Sequence, residues 1–254
     1  MTARPITLVT GATSGIGKAI AADLADAGHD VIALGRNREA LAALAGRAGI
    51  RPLALDLGDA GALQAALADA PVDVLVNNAG IMPPVGPFAR MAQADIDATL
   101  AINLAAVLRV TRLVLPGMIA RGAGHVFFTG SIAGHVPYPD MAVYGATKAA
   151  VSGFAAALRC DLVGTGVRVT EIVAGRVQTA LYRDALDARE RRAMYAAFDA
   201  LRPQDVSAML SAVLAMPAHV DVARFDILPT DQPAGGSSAP GRPHRSVAST
   251  SYGR

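Results

Sequence analysis

The sequence has no tryptophan and only one cysteine, Cys160, and charged residues make up 17% of its 254 residues. A single cysteine excludes an intramolecular disulfide framework and is typical of a reducing compartment. The net charge is only +2, and Glu190 interrupts the densest run of basic residues, which consists of Arg189, Arg191 and Arg192. This scatter of charge predicts no nucleic-acid-binding surface.

Long apolar runs are also missing. No uninterrupted apolar stretch approaches the roughly 18 to 20 residues that span a bilayer. The chain passes from Met1 into a short apolar segment without the basic region, long apolar stretch and small-residue cleavage site of a secretory signal. We therefore expect a cytoplasmic protein with no membrane partner.

Hydrophobic residues are abundant, at 52% of the chain, which is enough to fill a two-sided core in one large domain. Short β-branched runs alternate with longer segments rich in Ala and Leu, the order of repeated strand-helix-strand units. The run at 72–77 is almost continuously apolar, which indicates burial on both faces. These patterns predict a single α/β domain over residues 1–231, with a doubly wound, seven-stranded parallel sheet between two layers of helices.

The predicted strands are 6–10, 30–34, 51–55, 72–77, 125–129, 167–173 and 224–228. The predicted helices are 15–27, 38–48, 61–68, 93–120, 142–163 and 204–215. Segment 180–201 breaks the rhythm, because it is helical in composition and lies between the last two strands, where a lid over a substrate could form. Residues 232–254 are rich in Gly, Ser and Pro, and we expect them to form a disordered tail.

A glycine-rich turn, Thr10-Gly11-Ala12-Thr13-Ser14-Gly15-Ile16-Gly17, follows the first predicted strand and opens the first predicted helix. Backbone amides at such a helix start can receive the pyrophosphate of a dinucleotide. A free-standing glycine triplet is more often an ordinary loop, so the position in a strand-to-helix turn carries the prediction. The turn has three residues between its first two glycines, unlike the usual G-x-G-x-x-G spacing.

Tyr144 and Lys148 lie one helical turn apart in the predicted helix 142–163. A nearby ammonium favours the phenolate, so it would lower the pKa of tyrosine from about 10 and allow acid-base chemistry near neutral pH. Tyr and Lys with this spacing also occur on many solvated helix faces. The pair therefore indicates a catalytic site only in combination with the other motifs.

Two further motifs complete a family pattern, namely Asn77-Asn78-Ala79-Gly80 after the fourth predicted strand and Ser131 after the fifth. With them, residues 6–230 resemble the short-chain dehydrogenase/reductase family, which implies a Rossmann-type fold. Gly35-Arg36 and Ala146-Thr147-Lys148 are most similar to its NADP-dependent 3-hydroxy acid dehydrogenases, which oxidise serine and allo-threonine. The segment Pro229-Thr230-Asp231-Gln232 also resembles bacterial aldehyde and ketone reductases of secondary metabolism.

The resemblance implies four catalytic residues: Asn103, Ser131, Tyr144 and Lys148. Tyr144 would exchange a proton with the substrate oxygen, and Ser131 would hydrogen-bond that oxygen as charge develops on it. Lys148 would lower the pKa of the phenol and hold the nicotinamide ribose. Asn103 would anchor a water that passes protons to Lys148, although a buried helix asparagine can also simply satisfy backbone groups.

The residues after the second strand, Gly35-Arg36-Asn37-Arg38, include no carboxylate for the ribose hydroxyls of NAD. Arg36 can offer a planar fork to a 2′-phosphate, so we predict NADP(H); the alternative is an exposed loop arginine. The complete predicted cofactor-binding set is Gly11, Thr13, Ser14, Gly15, Ile16, Gly17, Arg36, Asp56, Asn77, Gly80, Tyr144, Lys148, Val177 and Thr179. We predict no metal site. Ala174-Gly175 departs from the Pro-Gly that is usual in the family, which would loosen the turn under the nicotinamide.

The sequence thus predicts an NADP(H)-dependent oxidoreductase that interconverts a carbonyl and an alcohol, with small 3-hydroxy acids as its first expected substrates and other ketones or aldehydes as its second. Arg176 and Arg183 are candidates to pair with a substrate carboxylate, unless they face solvent or the cofactor phosphates. A catalytically idle nucleotide-binding regulator with this fold would be expected to lack Tyr144 or Lys148, and both are present. The complete serine, tyrosine and lysine set argues against a dehalogenase. An epimerase that uses the carbonyl intermediate stays an alternative.

Ala and Leu occupy more than one face of helices 93–120 and 142–163. A second apolar stripe on a helix needs a second packing partner. Together with the family resemblance, this pattern predicts a homotetramer with two-fold symmetry.

Overall fold

The computed structural model describes residues 4–233, whose strands form one seven-stranded parallel sheet in the order β3-β2-β1-β4-β5-β6-β7. The strands are β1 (Ile6–Thr10), β2 (Asp30–Gly35), β3 (Ile50–Ala54), β4 (Val74–Asn77), β5 (Gly124–Thr129), β6 (Val167–Ala174) and β7 (Arg224–Ile227). The predicted Rossmann-type fold is confirmed. The chain order reverses between β1 and β4, and ligands of such sheets bind at the carboxyl ends of the strands beside this point.

Within residues 4–233, eight α-helices connect and cover the strands. They are α1 (Gly15–Asp26), α2 (Arg38–Ala45), α3 (Ala60–Leu67), α4 (Gln93–Leu100), α5 (Ala106–Arg121), α6 (Ala142–Asp161), α7 (Ala188–Ala196) and α8 (Pro203–Leu214). Asn37 and Asp59 start α2 and α3, where each side chain accepts a hydrogen bond from a first-turn backbone amide. Gly122 ends α5 with a φ of 65°, a conformation that glycine adopts without a steric penalty.

Two hydrophobic cores lie on opposite faces of the sheet. Leu8 and Phe128 belong to the core under α3, α5 and α6, whereas Val9 and Phe127 belong to the core under α1, α2 and α8. Neighbouring strand residues point to opposite faces, so both members of each pair are buried. This explains why the strands are apolar almost without interruption.

The predicted helix 93–120 is divided by a π-helical segment, Ala101–Ala105, between α4 and α5. Within residues 4–233, the helical stretch Gln93–Arg121 has the length and the apolar composition of a membrane-spanning helix. Val110, Val114 and Met118 of α5 are buried in the core beneath it. A core helix of this kind passes the same composition test as a membrane span.

The predicted lid 180–201 contains a 3₁₀ turn at Ala180–Tyr182, followed by α7. Most of the predicted tail, 234–254, lies outside the described residues. Gln232 at its start is tied to the domain, because its Oε1 accepts a hydrogen bond of 2.7 Å from the backbone amide of Arg176.

Candidate active site

A cleft of about 660 Å³ runs along the carboxyl ends of the strands. The predicted site residues that line it are Gly11, Thr13, Ser14, Gly15, Ile16, Arg36, Asp56, Gly80, Ser131, Tyr144, Lys148, Val177 and Thr179. A second, more open groove of about 830 Å³ lies between α1 and the lid and is bordered by Lys18 and Gln178. Ser131, Tyr144 and Lys148 line the cleft and not this groove.

Two predicted cofactor-binding residues lie behind the cleft wall. A Cβ on Gly17 would approach the carbonyl oxygen of Gly11 to 2.4 Å, so this glycine lets α1 pack tightly against the turn. Asn77 is buried and donates from Nδ2 to Oγ1 of Thr111 on α5, at 3.0 Å. Neither residue lines the cleft.

Asn78, which the sequence analysis did not select, lines the cleft in place of its neighbour. Its Nδ2 donates to the carbonyl oxygen of Thr10 at 3.1 Å, and its backbone amide donates to Oγ1 of Thr10 at 3.0 Å. These bonds tie the end of β4 to the glycine-rich turn. Strand alternation indicated only that the two consecutive asparagines point in opposite directions, and not which of them lines the cleft.

The glycine-rich turn forms a cradle that larger residues would fill. Gly11 has a φ of 66°, and a Cβ there would lie 2.8 Å from Cα of Ala79. A Cβ on Gly35 would lie 2.5 Å from the methyl of Thr13. Ser14 precedes α1 without capping it through its side chain, so first-turn amides of this helix stay available. The cradle therefore fits a dinucleotide pyrophosphate, which binds at helix starts through such amides.

Arg36 supplies a cation at the end of β2. Its Nη1 lies 3.8 Å from Oδ2 of Asp56, and the two side chains are 70% and 52% exposed. Oδ1 of Asp56 also accepts a hydrogen bond of 2.8 Å from the amide of Gly58, which orients the carboxylate. At this exposure the ion pair is weak, so the guanidinium can still engage a phosphate.

Tyr144 is buried at the inner end of the cleft. Burial raises the pKa of its phenol above the usual range, the nearby Tyr182 raises it further, and the Ser131 hydroxyl lowers it. The expected lowering of this pKa by Lys148 is therefore not found in the protein without cofactor, because loss of solvation disfavours the phenolate. The phenol is protonated at neutral pH and can donate a proton.

Lys148 is buried beside this phenol. Its Nζ donates to the carbonyl oxygen of Thr129 at 2.7 Å and lies 5.8 Å from the centre of the Tyr144 ring. Burial lowers the pKa of Lys148 to about 8, and Glu171 acts in the opposite direction. The ammonium thus loses its proton at a much lower pH than an exposed lysine.

Asn103 lies in the π-helical segment and uses its side chain to hold the loop after β4. Its Oδ1 accepts from the amide of Ile81 and its Nδ2 donates to the carbonyl of Ile81, both at 2.8 Å. Nδ2 also lies 3.3 Å from Oγ1 of Thr147, next to Lys148. These contacts match the alternative interpretation, a buried amide that satisfies backbone groups. The water-anchoring role stays a prediction.

An apolar chamber surrounds the phenol of Tyr144. Its buried members are Met82, Ala133, Tyr144 and Ala185, and packed against them are Val85, Tyr138, Met141, Leu181 and Tyr182. The lid closes one side, since the amide of Val85 donates to the carbonyl of Ala185 at 3.2 Å. A substrate carbonyl beside Tyr144 would therefore meet mainly apolar groups and phenols.

The two candidate substrate-binding arginines differ in position. Nη1 of Arg176 donates to the carbonyl of Met194 at 2.7 Å, and its guanidinium lies 4.6 Å from the centre of the Phe198 ring. Arg176 thus supports the lid from beneath. Arg183 lines the cleft, its side chain is 70% exposed, and its Nε lies 3.4 Å from Oδ1 of Asp184. Of the pair, Arg183 is the one that borders the cleft.

Residues 5–190 match the short chain dehydrogenase family, and the chain belongs to this family. It is 40% identical over 239 residues to sulfoacetaldehyde reductase 2 of Chromohalobacter salexigens, covering 89% of this chain and 95% of that protein. It is 39% identical over 251 residues to the NADP-dependent 3-hydroxy acid dehydrogenase YdfG of Salmonella typhi, covering 95% and 100%.

Among solved structures, the chain is similar to the closed form of a serine dehydrogenase complexed with NADP+. The TM-score is 0.86 at 37% identity, and the match covers 94% of this chain and 99% of that one. The family resemblance stated from the sequence motifs is therefore confirmed.

Proposed function

We propose that the protein is an NADP(H)-dependent oxidoreductase that interconverts a carbonyl compound and an alcohol. The observation that carries this proposal is that Ser131, Tyr144 and Lys148 line the same cleft as the glycine-rich cradle and Arg36. The NADP-dependent relative and the NADP+ complex of a similar structure support the choice of cofactor.

Residues along the cleft would hold the cofactor in a defined order. The glycine-rich turn would bind the pyrophosphate and Arg36 the 2′-phosphate, while Asp56 and Gly80 would contact the adenosine half. Val177 and Thr179 would hold the nicotinamide amide. When bound, the nicotinamide supplies or accepts the hydride.

Tyr144 and Ser131 would act on the substrate oxygen. In reduction, the protonated phenol of Tyr144 donates its proton to that oxygen, which is the role that its raised pKa allows. Ser131 hydrogen-bonds the same oxygen and stabilises the charge that develops there. Lys148 keeps a positive charge beside the phenol and would bind the nicotinamide ribose.

Small 3-hydroxy acids are the first proposed substrates. Two of the relatives named above are described as acting on 3-hydroxy acids and on sulfoacetaldehyde. Arg183 at the edge of the cleft is the cation placed to meet an acidic group. General ketone or aldehyde reduction is the second candidate, and the apolar chamber formed by Met82, Leu181 and their neighbours favours it.

We also propose that the enzyme is a cytoplasmic homotetramer that acts on small molecules without a nucleic-acid or membrane partner. The dispersed basic residues and the near-neutral net charge support the first exclusion. The burial of Val110, Val114 and Met118 against the sheet supports a core position for α5.

A panel of 3-hydroxy acids, ketones and aldehydes, followed by NADPH absorbance, tests the activity. Arg183→Met is expected to lower kcat/KM for acidic substrates about tenfold, through loss of a charge-assisted contact, while neutral ketones are unaffected. Arg176→Met serves as the comparison variant: because this guanidinium holds the lid through Met194 and Phe198, any effect should be equal for acidic and neutral substrates. Equal effects of Arg183→Met on acidic and neutral substrates would contradict the carboxylate role.

Tyr144→Phe tests the mechanism itself. The variant lacks only the proton-transferring hydroxyl, so turnover should fall by at least about a hundredfold while the dissociation constant of NADPH changes little. NADPH fluorescence gives the binding constant independently of turnover. Activity within tenfold of the parent enzyme would show that Tyr144 is not the general acid.

A further inference from the structure

The carboxylate of Glu171 is buried on β6, with a relative exposure of 4%, and the proposed mechanism does not use it. Its Oε1 accepts a hydrogen bond from Nε2 of His135 at 3.0 Å. Its Oε2 accepts one from Oγ of Ser152 at 2.9 Å. A buried acidic group is costly unless it is paired and hydrogen-bonded, so both donors matter to it.

The two donors come from the elements that carry the catalytic side chains. His135 follows the 3₁₀ turn Ile132–Gly134, which Ser131 caps. Ser152 lies one turn after Lys148 on α6. Gly130 precedes Ser131, and a Cβ there would lie 2.5 Å from Oε1 of Glu171. One carboxylate therefore joins β6, the Ser131 turn and the Lys148 helix.

The same carboxylate acts on the charge of Lys148. Burial lowers the pKa of this lysine to about 8, and Glu171 is the group that raises it. Among the described residues, the titratable groups of this cluster are Tyr144, whose ring centre lies 5.8 Å from Nζ of Lys148, Tyr182 from the lid beside Tyr144, and His135 beside Glu171. Tyr144 and Tyr182 are phenols that burial keeps neutral, so they do not replace the negative charge of Glu171.

We propose that Glu171 is a positioning residue that fixes the Ser131 turn against the Lys148 helix through His135 and Ser152, and that its negative charge acts on Lys148. The link to turnover rests on the proposed function. The effect on Lys148 does not, because it can be measured on the protein without cofactor or substrate.

The composition of the chain makes the measurement direct. The sequence contains two lysines, Lys18 and Lys148, so NMR of protein with isotope-labelled lysine has two side-chain signals to follow against pH. Lys18 is exposed on α1 and serves as the internal reference, and Lys18→Arg assigns the signals. Glu171→Gln removes the charge with little change in shape, and we expect the titration midpoint of Lys148 to fall by about one pH unit. Lys18 should not move.

Thr170→Val is the matched control on the same strand. It removes the hydrogen bonds of Oγ1 of Thr170 with Nε2 of His125 and with the carbonyl oxygen of Val222, without a change of charge near Lys148. The Lys148 midpoint should stay at its parent value in this variant, whereas Glu171→Asp, which keeps the charge, should restore most of the shift. An unchanged Lys148 midpoint in folded Glu171→Gln would overturn the electrostatic part of the proposal.

Ser152→Ala and His135→Asn test the positioning part and cover the case in which Glu171→Gln does not fold. Each removes one hydrogen bond to the carboxylate, and we expect kcat to fall about tenfold while NADPH affinity stays within about twofold. Unchanged kcat in both would show that the network does not position the site. If the parent enzyme reduces no carbonyl compound, the proposed function fails, while the lysine titration still decides the role of Glu171.

Discussion

Burial sets the protonation of the two central side chains. It raises the pKa of Tyr144 above the usual range and lowers that of Lys148 to about 8. Both shifts have the same cause, since a low-dielectric site disfavours the phenolate and the ammonium alike. At neutral pH the site therefore holds a neutral phenol next to a cation, which is the arrangement that carbonyl reduction requires.

This pair predicts the direction of the pH dependence of reduction. Lys148 has a lowered pKa, so its charge is present below about pH 8 and is lost as the pH rises through that value, while Tyr144 is still protonated. We expect kcat/KM for reduction to be flat in the neutral range and to fall above about pH 8. Lys148→Arg keeps its charge and should lack this fall. A kcat/KM for reduction that rises between about pH 8 and about pH 9 would contradict this role of Lys148.

Arg36 is expected to select NADPH. Arg36→Ala should raise the dissociation constant of NADPH about tenfold, near the lower end for a charge-assisted hydrogen bond, because this side chain is 70% exposed. NADH lacks the 2′-phosphate and is the matched control ligand. Higher ionic strength should weaken NADPH binding more than NADH binding. Equal dissociation constants for both cofactors in the parent enzyme would refute this role.

The lid is held together by contacts between neighbouring residues. Asp187 and Glu190 form a reciprocal capping box at the start of α7. Nη1 of Arg191 donates to the carbonyl oxygens of Arg183 and Leu186, both at 2.6 Å. These bonds give a short, exposed helix the local order that its packing does not supply.

Removing Arg191 should loosen the lid without unfolding the domain. In Arg191→Ala we expect KM for the carbonyl substrate to rise about three- to tenfold, because lid closure completes the chamber around Tyr144. Arg192→Ala is the matched control, since Arg192 is exposed on the same helix. Limited proteolysis of the lid and a melting temperature report local and global stability separately. Equal KM values in the two variants would argue against a closing role for this segment.

The long helical stretch Gln93–Arg121 carries apolar side chains on its outer face as well as its inner one. Leu100, Leu108 and Ile119 are exposed in the single chain, at 42%, 36% and 42%. Large exposed apolar groups on one helical stretch mark a surface that another protein chain can cover. This face is where we expect subunits to meet.

Sedimentation velocity at micromolar concentration is expected to show a tetramer. Leu108→Asp together with Ile119→Asp should reduce assembly, because burying a carboxylate without a partner is unfavourable. Because Leu108 and Ile119 are exposed in the single chain, this double variant should keep its fold, which circular dichroism can check. A parent protein that sediments only as a monomer would contradict the predicted assembly.

The order of elements could be predicted from the sequence because it depends on local patterns. Apolar runs such as 72–77 mark strands buried on both faces, and the glycine-rich turn marks the start of α1. Several cleft-lining residues that come within three positions after a strand, such as Arg36, Asp56, Gly80 and Ser131, were also predictable as neighbours, since parallel strands bring their carboxyl ends to one edge. Most element bounds differed by a residue or two, because helix and strand ends fray, but α2 ends three residues before its predicted end.

Side-chain directions in the site depended on contacts between distant segments. The sequence did not show that Asn78 rather than Asn77 faces the cleft, that the side chain of Asn103 is committed to Ile81, or that Arg176 supports the lid. Nor did it reveal Glu171, which lies among apolar strand residues and contacts His135, 36 positions away. A hydrophobic pattern reports that a segment is buried, but which groups meet inside is set by how the β6, α6 and Ser131 segments pack together.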